Sequence, residues 1–75
     1  MNLIVIQTLT DNTIVRRLDN YDNYDKAIGQ AYYELFYATQ NADIKSIVCA
    51  IIDDMGHEVK ALRYPEIVLA EEDGK

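Results

Sequence analysis

The stretch DNYDNYDKAIGQAYYELFY, residues 19–37, holds five tyrosines and a phenylalanine in an otherwise acidic chain. It reads as a metal-binding loop, as a helix with one core face, or as a helix with a second apolar face. A calcium loop of the EF-hand type needs oxygen donors at its first, third and fifth positions, glycine at its sixth and glutamate at its twelfth. Counted from Asp19, the third, sixth and twelfth positions are Tyr21, Tyr24 and Gln30; counted from Asp22, the third is Tyr24. The loop reading fails.

A helix fits. Asp22 or Asn23 can cap its start, and Asp25 puts negative charge into the first turn, where the helix dipole favours it. The segment predicts a helix from about Asn23 to about Asn41. At about 100° per residue, Tyr24, Ala27, Ile28, Ala31, Leu35, Ala38 and Ala42 share one stripe and are the expected core positions. Tyr32 flanks that stripe. Gly29, Tyr33, Phe36 and Tyr37 form a second, aromatic face, with Tyr33 and Tyr37 spaced to touch. Half-exposed tyrosines are ordinary, because the ring is amphipathic. A contiguous aromatic patch on a small domain points instead to a contact surface. Gly29 points the same way: it costs about 1 kcal/mol against alanine inside a helix, and such glycines often mark a close approach.

Strand patterns lie on both sides of the helix. MNLIVIQTL and IKSIVCAII are β-branched and apolar at both alternating positions, as central strands with two covered faces are. TIVRRL and HEVKALRY are more polar and suit edges; paired arginines on an edge discourage further pairing. TDNT at 10–13 and DDMG at 53–56 are turns, with Gly56 placed for a left-handed conformation. EIVLA at 66–70 reads as a short fifth strand or a flap over an open sheet face, and EEDGK at 71–75 as a disordered acidic tail. The fold class is α+β: a small, mainly antiparallel sheet with one long helix on one face, in the order β-β-α-β-β, residues 1–70 forming one domain. The simplest strand order is 2-1-3-4. One helix covers one sheet face, leaving Ile4, Ile6 and alternate residues of IVCAII bare. A face-to-face homodimer would close that surface.

The chain has 75 residues and a net charge of -6. A core this small is marginal and commonly needs a disulfide, a metal or a partner. Cys49 is the one cysteine, so no intrachain disulfide forms, and an unpaired thiol suits a reducing, cytoplasmic setting. No secretory signal or membrane span is read from the sequence. The acidity argues against direct nucleic-acid binding, which needs a clustered basic surface.

Chemistry has little support. Asp53, Asp54, His57 and Glu58 gather around one hairpin and could hold a divalent ion or, with Lys60, form a nuclease-like set. Aspartate is also favoured in turns for backbone reasons alone. A lone histidine cannot build a His₂ zinc site. Cys49 lies within an apolar strand, where a thiol behaves as a small hydrophobe. The expectation is a non-catalytic protein with no cofactor or metal.

The hairpin TLTDNT, the helix start YDNYDKA and the strand-hairpin KSIVCAIIDDMGHEV resemble small acidic proteins encoded by phages and mobile elements of Gram-positive bacteria. Some proteins of that kind inhibit host defence, anti-CRISPR proteins among them. The resemblance favours such an inhibitory role and carries over no functional residues; the acidity of the chain itself fits an acidic binding module that occupies the basic site of a nucleic-acid-binding protein. Asp19, Asp22, Asp25, Glu34, Asp53, Asp54 and Glu58 would supply the charge, with Gly29, Tyr33, Phe36 and Tyr37 the anchors. The alternatives are a self-assembling structural protein and, less favoured, a metal-dependent enzyme built on the 53–58 hairpin.

Overall fold

The computed structural model describes residues 1–65; the fifth strand expected at 66–70 and the tail at 71–75 lie outside the described residues. The chain runs β1 (Asn2–Leu9), β2 (Ile14–Asn20), α1 (Tyr24–Gln40), β3 (Ile44–Ile52) and β4 (Glu58–Tyr64). The four strands form one sheet in the order β2-β1-β3-β4, and every neighbouring pair is antiparallel. The two strands apolar at both alternating positions are central, each paired along both edges, with one face under α1.

Local chemistry sets the turns. In the β1–β2 turn Asn12 has φ 72°, a left-handed conformation that asparagine tolerates, and Asp11 Oδ1 accepts the Thr13 N–H at 2.9 Å. In the β3–β4 turn Gly56 has φ 88°, and Asp53 Oδ1 accepts the N–H groups of Met55 and His57 at 2.9 and 2.8 Å. Asn23 caps α1: its Oδ1 accepts the Lys26 N–H at 2.9 Å, which satisfies a helix N–H that would otherwise lack a partner.

β2 and β3 both oppose β1, so they run parallel to each other with β1 between them. α1 makes the crossover that such a pair requires. It packs chiefly on β3, less on β4 and β1, and least on β2. Beneath it lie Leu3 and Val5 of β1 and Ile47, Cys49 and Ile51 of β3, all essentially buried. Ala27, Ala31 and Ala38 face them from the helix, and their small side chains let helix and sheet approach closely.

The expected core stripe needs two corrections. Ala42 lies beyond α1 and is exposed. Glu34 is buried, at 6% exposure, instead of standing on the acidic surface. The cause is the offset of α1 toward β3 and β4. It leaves the helix side of β2 uncovered, and there Arg17, opposite Val5, reaches up to Glu34.

On the other sheet face Ile4, Ile6, Val48, Ala50 and Ile52 are half-buried and Leu18 is 66% exposed. No described element packs over them. The register sets Arg16, Ile6, Val48 and Arg63 in one cross-strand row, so arginines border this apolar face on both sides. No described helix is long and apolar enough to cross a membrane.

Candidate functional site

α1 buries one side and turns the other fully outward. Tyr32, Tyr33, Phe36 and Tyr37 stand 57%, 61%, 64% and 47% exposed. Their spacing makes two i,i+4 pairs, Tyr32 with Phe36 and Tyr33 with Tyr37, which are neighbours on a helix surface. Tyr32, placed by the sequence at the margin of the core, belongs to this patch. Gly29 lies one turn earlier on the same side, and a Cβ built there meets nothing within 4 Å. The notch is therefore open to solvent, and no part of the described chain needs the glycine. At the far end of the patch, Asn41 Nδ2 donates to Tyr37 Oη at 3.2 Å, which steadies one ring.

The register gathers acidic residues that are far apart in sequence. Asn20, Asn2, Ile52 and Glu58 form one cross-strand row. Asp19 and Asp22 flank the β2 end of that row, Asp53 and Asp54 follow Ile52, and Asp25 lies in the first turn of α1, which starts from the same end. Six of the seven predicted acidic residues thus share one end of the sheet; Glu34 does not. Met55, 80% exposed at the hairpin tip, adds an apolar group there that the sequence reading passed over.

Several of these charges are already engaged. Asp19 Oδ2 accepts from Arg17 Nε at 3.0 Å, and Asp22 pairs with Lys26 Nζ at 3.3 Å, one turn apart and exposed. Asp53 holds the turn and lies 3.4 Å from His57 Nδ1. Its bonds from the His57 and Met55 N–H groups hold its carboxyl below the ordinary value of 3.8. Asp25, Asp54 and Glu58 form no ion pair among the described residues. Three or more His, Cys, Asp or Glu side chains do not converge as metal ligands anywhere among the described residues.

The Arg17–Glu34 pair was not foreseen. Glu34 accepts from Arg17 and, at 2.8 Å, from Gln30 Nε2. Hydrogen bonds from Arg17 to Asp19 and then to Glu34 hold the guanidinium above its usual pKa. Spacing carried a signal: Ala27, Ala31, Glu34 and Ala38 are all buried and recur at the 4-3-4 interval of a core stripe. The charge of Glu34 masked it. Cys49 has no exposed surface; burial pushes its thiol up to about 11, and the Glu34 charge adds to the effect.

Comparison with protein-family models, with curated proteins and with solved structures gives no match.

Proposed function

We propose that this chain is a non-catalytic protein-binding module. It docks through the aromatic face of α1 with the acidic end beside it, onto a basic site that otherwise holds nucleic acid. The observation that carries the reading is the outward exposure of Tyr32, Tyr33, Phe36 and Tyr37 as one patch. Aromatic rings supply large contact area at low conformational cost and dominate interface energetics. The acidic end lies about two helical turns before the patch and steers a positively charged partner. The resemblance read from the sequence adds the inhibitory role: a chain that fills a nucleic-acid site blocks it. The free, buried Cys49 is compatible with a reducing compartment such as the cytoplasm.

The test compares the wild type with Tyr33→Glu/Tyr37→Glu as immobilised bait. Both positions are exposed, so the fold is retained. The wild type should hold a protein that a single-stranded oligonucleotide releases, and that about 1 M salt releases by shortening the Debye length to ~3 Å. The double variant should hold none. A captured protein that resists both treatments, or that the variant retains, overturns the reading.

A second reading, a self-assembling structural protein, is supported by the bare apolar sheet face bordered by Arg16 and Arg63. Under it the aromatic face of α1 and the open sheet face both serve the oligomer, so Ile6→Glu and Tyr33→Glu/Tyr37→Glu each lower the solution mass, and an unchanged mass in the double variant overturns it.

A further inference from the structure

The sheet has two edges; both carry charge, but only β4 adds a register shift and a proline. β4 carries a register shift against β3 at Ile51/Ile52, the charged residues Glu58, Lys60 and Arg63, and Pro65 just beyond its end. A bulge, charge and proline are the devices that keep an edge from pairing. β2 has no proline or glycine, and its register against β1 is unbroken from Asn2↔Asn20 to Thr8↔Ile14. Ile14, Val15 and Leu18 stand 50%, 43% and 66% exposed along it. Among the described residues only β1 pairs with it.

The backbone groups at this edge can be assigned. The Leu9 N–H donates to Thr13 O and the Tyr21 N–H to Met1 O, each at 2.8 Å. Odd-numbered residues of this strand therefore face β1. Alternation turns the N–H and C=O groups of Ile14, Arg16, Leu18 and Asn20 outward. A regular row of unpaired backbone donors and acceptors is a template for another strand.

The geometry points to a second copy of this chain as that strand: β2 pairs antiparallel with β2 of the partner, centred on Leu18. Overlap and charge together select the register. Centring on Ile14, Val15 or Asn20 pairs at most three residues of β2, against five for Leu18. Centring on Arg16, Arg17 or Asp19 sets a like charge directly against itself, which is destabilising. Registers centred between two residues set outward-facing groups against residues whose own groups already bind β1. Centring on Leu18 places each Arg17 opposite the other copy's Asp19, and Leu18 opposite Leu18. The ion pairs fall on the helix side and the leucines on the open side, and Arg16 lies opposite Asn20. The arginines that by sequence discourage pairing are thus answered by Asp19 and Asn20. The product is one continuous eight-stranded antiparallel sheet with both helices on the same side, closed by a two-fold axis normal to it. This contact is edge to edge, unlike the face-to-face closure expected from the sequence, and it does not involve the aromatic patch.

Cysteine scanning along the edge tests the register. In a hydrogen-bonded pair the Cα atoms of Leu18 and its symmetry mate lie about 5.5 Å apart, within disulfide reach. The two copies of residue 16, or of residue 20, are displaced along the strands by about 13 Å. Leu18→Cys should therefore form a covalent dimer on mild oxidation, while Arg16→Cys and Asn20→Cys alone stay single chains. An equimolar mixture of those two should cross-link to each other. The wild type is the control, because Cys49 is buried. Asp19→Lys, which sets lysine opposite Arg17, should weaken the wild-type dimer about tenfold in sedimentation. The inference is overturned if Leu18→Cys stays a single chain under oxidation. Self-cross-linking of Arg16→Cys as fast as Leu18→Cys overturns it equally, as does a wild type that sediments as a monomer at high micromolar concentration.

Discussion

The guanidinium of Arg17 on β2 and the carboxylate of Glu34 on α1 meet on the helix side of the sheet, with Glu34 only 6% exposed. Removing one partner strands the other. Arg17→Met leaves a buried carboxylate with Gln30 alone. The cost is about 1–3 kcal/mol, below the full value for a broken buried pair because Arg17 is itself half exposed. Arg17→Met/Glu34→Leu removes both charges and should lose less than the sum of the two single variants. Urea denaturation of the four proteins measures the coupling; strict additivity would show that the pair does not interact.

Gly29 holds the outward side of α1 with open space where a Cβ would go. Gly29→Ala should stabilise the chain by about 1 kcal/mol, which raises Tm by roughly 4–8 °C for a domain of this size. If Gly29 admits a partner's backbone, the same variant binds that partner less tightly. Calorimetric scans and the capture assay read the two effects separately.

Asp53 gives the β3–β4 turn a pH dependence whose sign is set. Its folded pKa is depressed below 3.8 by the N–H groups it binds. Its contribution to stability is therefore complete above that value and is lost as pH falls through the lower, folded value. The amide resonances of Met55 and His57 should shift with a midpoint below 3.8. Asp53→Asn keeps an oxygen acceptor in the turn and should abolish that titration.

Cys49 should be inert in the native state. With its pKa pushed up to about 11 and no exposed surface, only about one thiol in a thousand is ionised at pH 8. An aromatic disulfide reagent should react only as the sheet opens, so its rate tracks denaturant in parallel with global unfolding. Immediate reaction in buffer would contradict this packing.

Much of the fold was legible because it rests on periodicity and turn chemistry. LIVI in β1 and IVCAII in β3 are apolar at every position, which demands the centre of a sheet. Asn23, Asn41 and Gly56 mark boundaries by their own backbone preferences. The aromatic face was legible for the same reason, since Tyr33, Phe36 and Tyr37 lie off the alanine stripe. What could not be read was where α1 rests across the sheet. That offset brings Arg17 within reach of Glu34, whose inward place the alanine spacing already signalled and its own charge masked. The gathering of Asp19, Asp22, Asp25, Asp53, Asp54 and Glu58 at one end also depends on strand register, which no local pattern encodes.

The placement of β1 between β2 and β3 has a kinetic consequence. Each hairpin closes a short loop and can form early. The ladder at the centre of the sheet runs from Leu9↔Ile44 to Asn2↔Ile52, so even its shortest closure spans a loop that contains β2 and α1. Loop closure of that length carries the largest entropic cost in the chain. This topology predicts that docking of the two hairpins along β1 and β3, with α1 as the tether, limits the folding rate. Substitutions that weaken contacts between Val5 and Cys49 should slow folding, while those in the two turns should mainly speed unfolding.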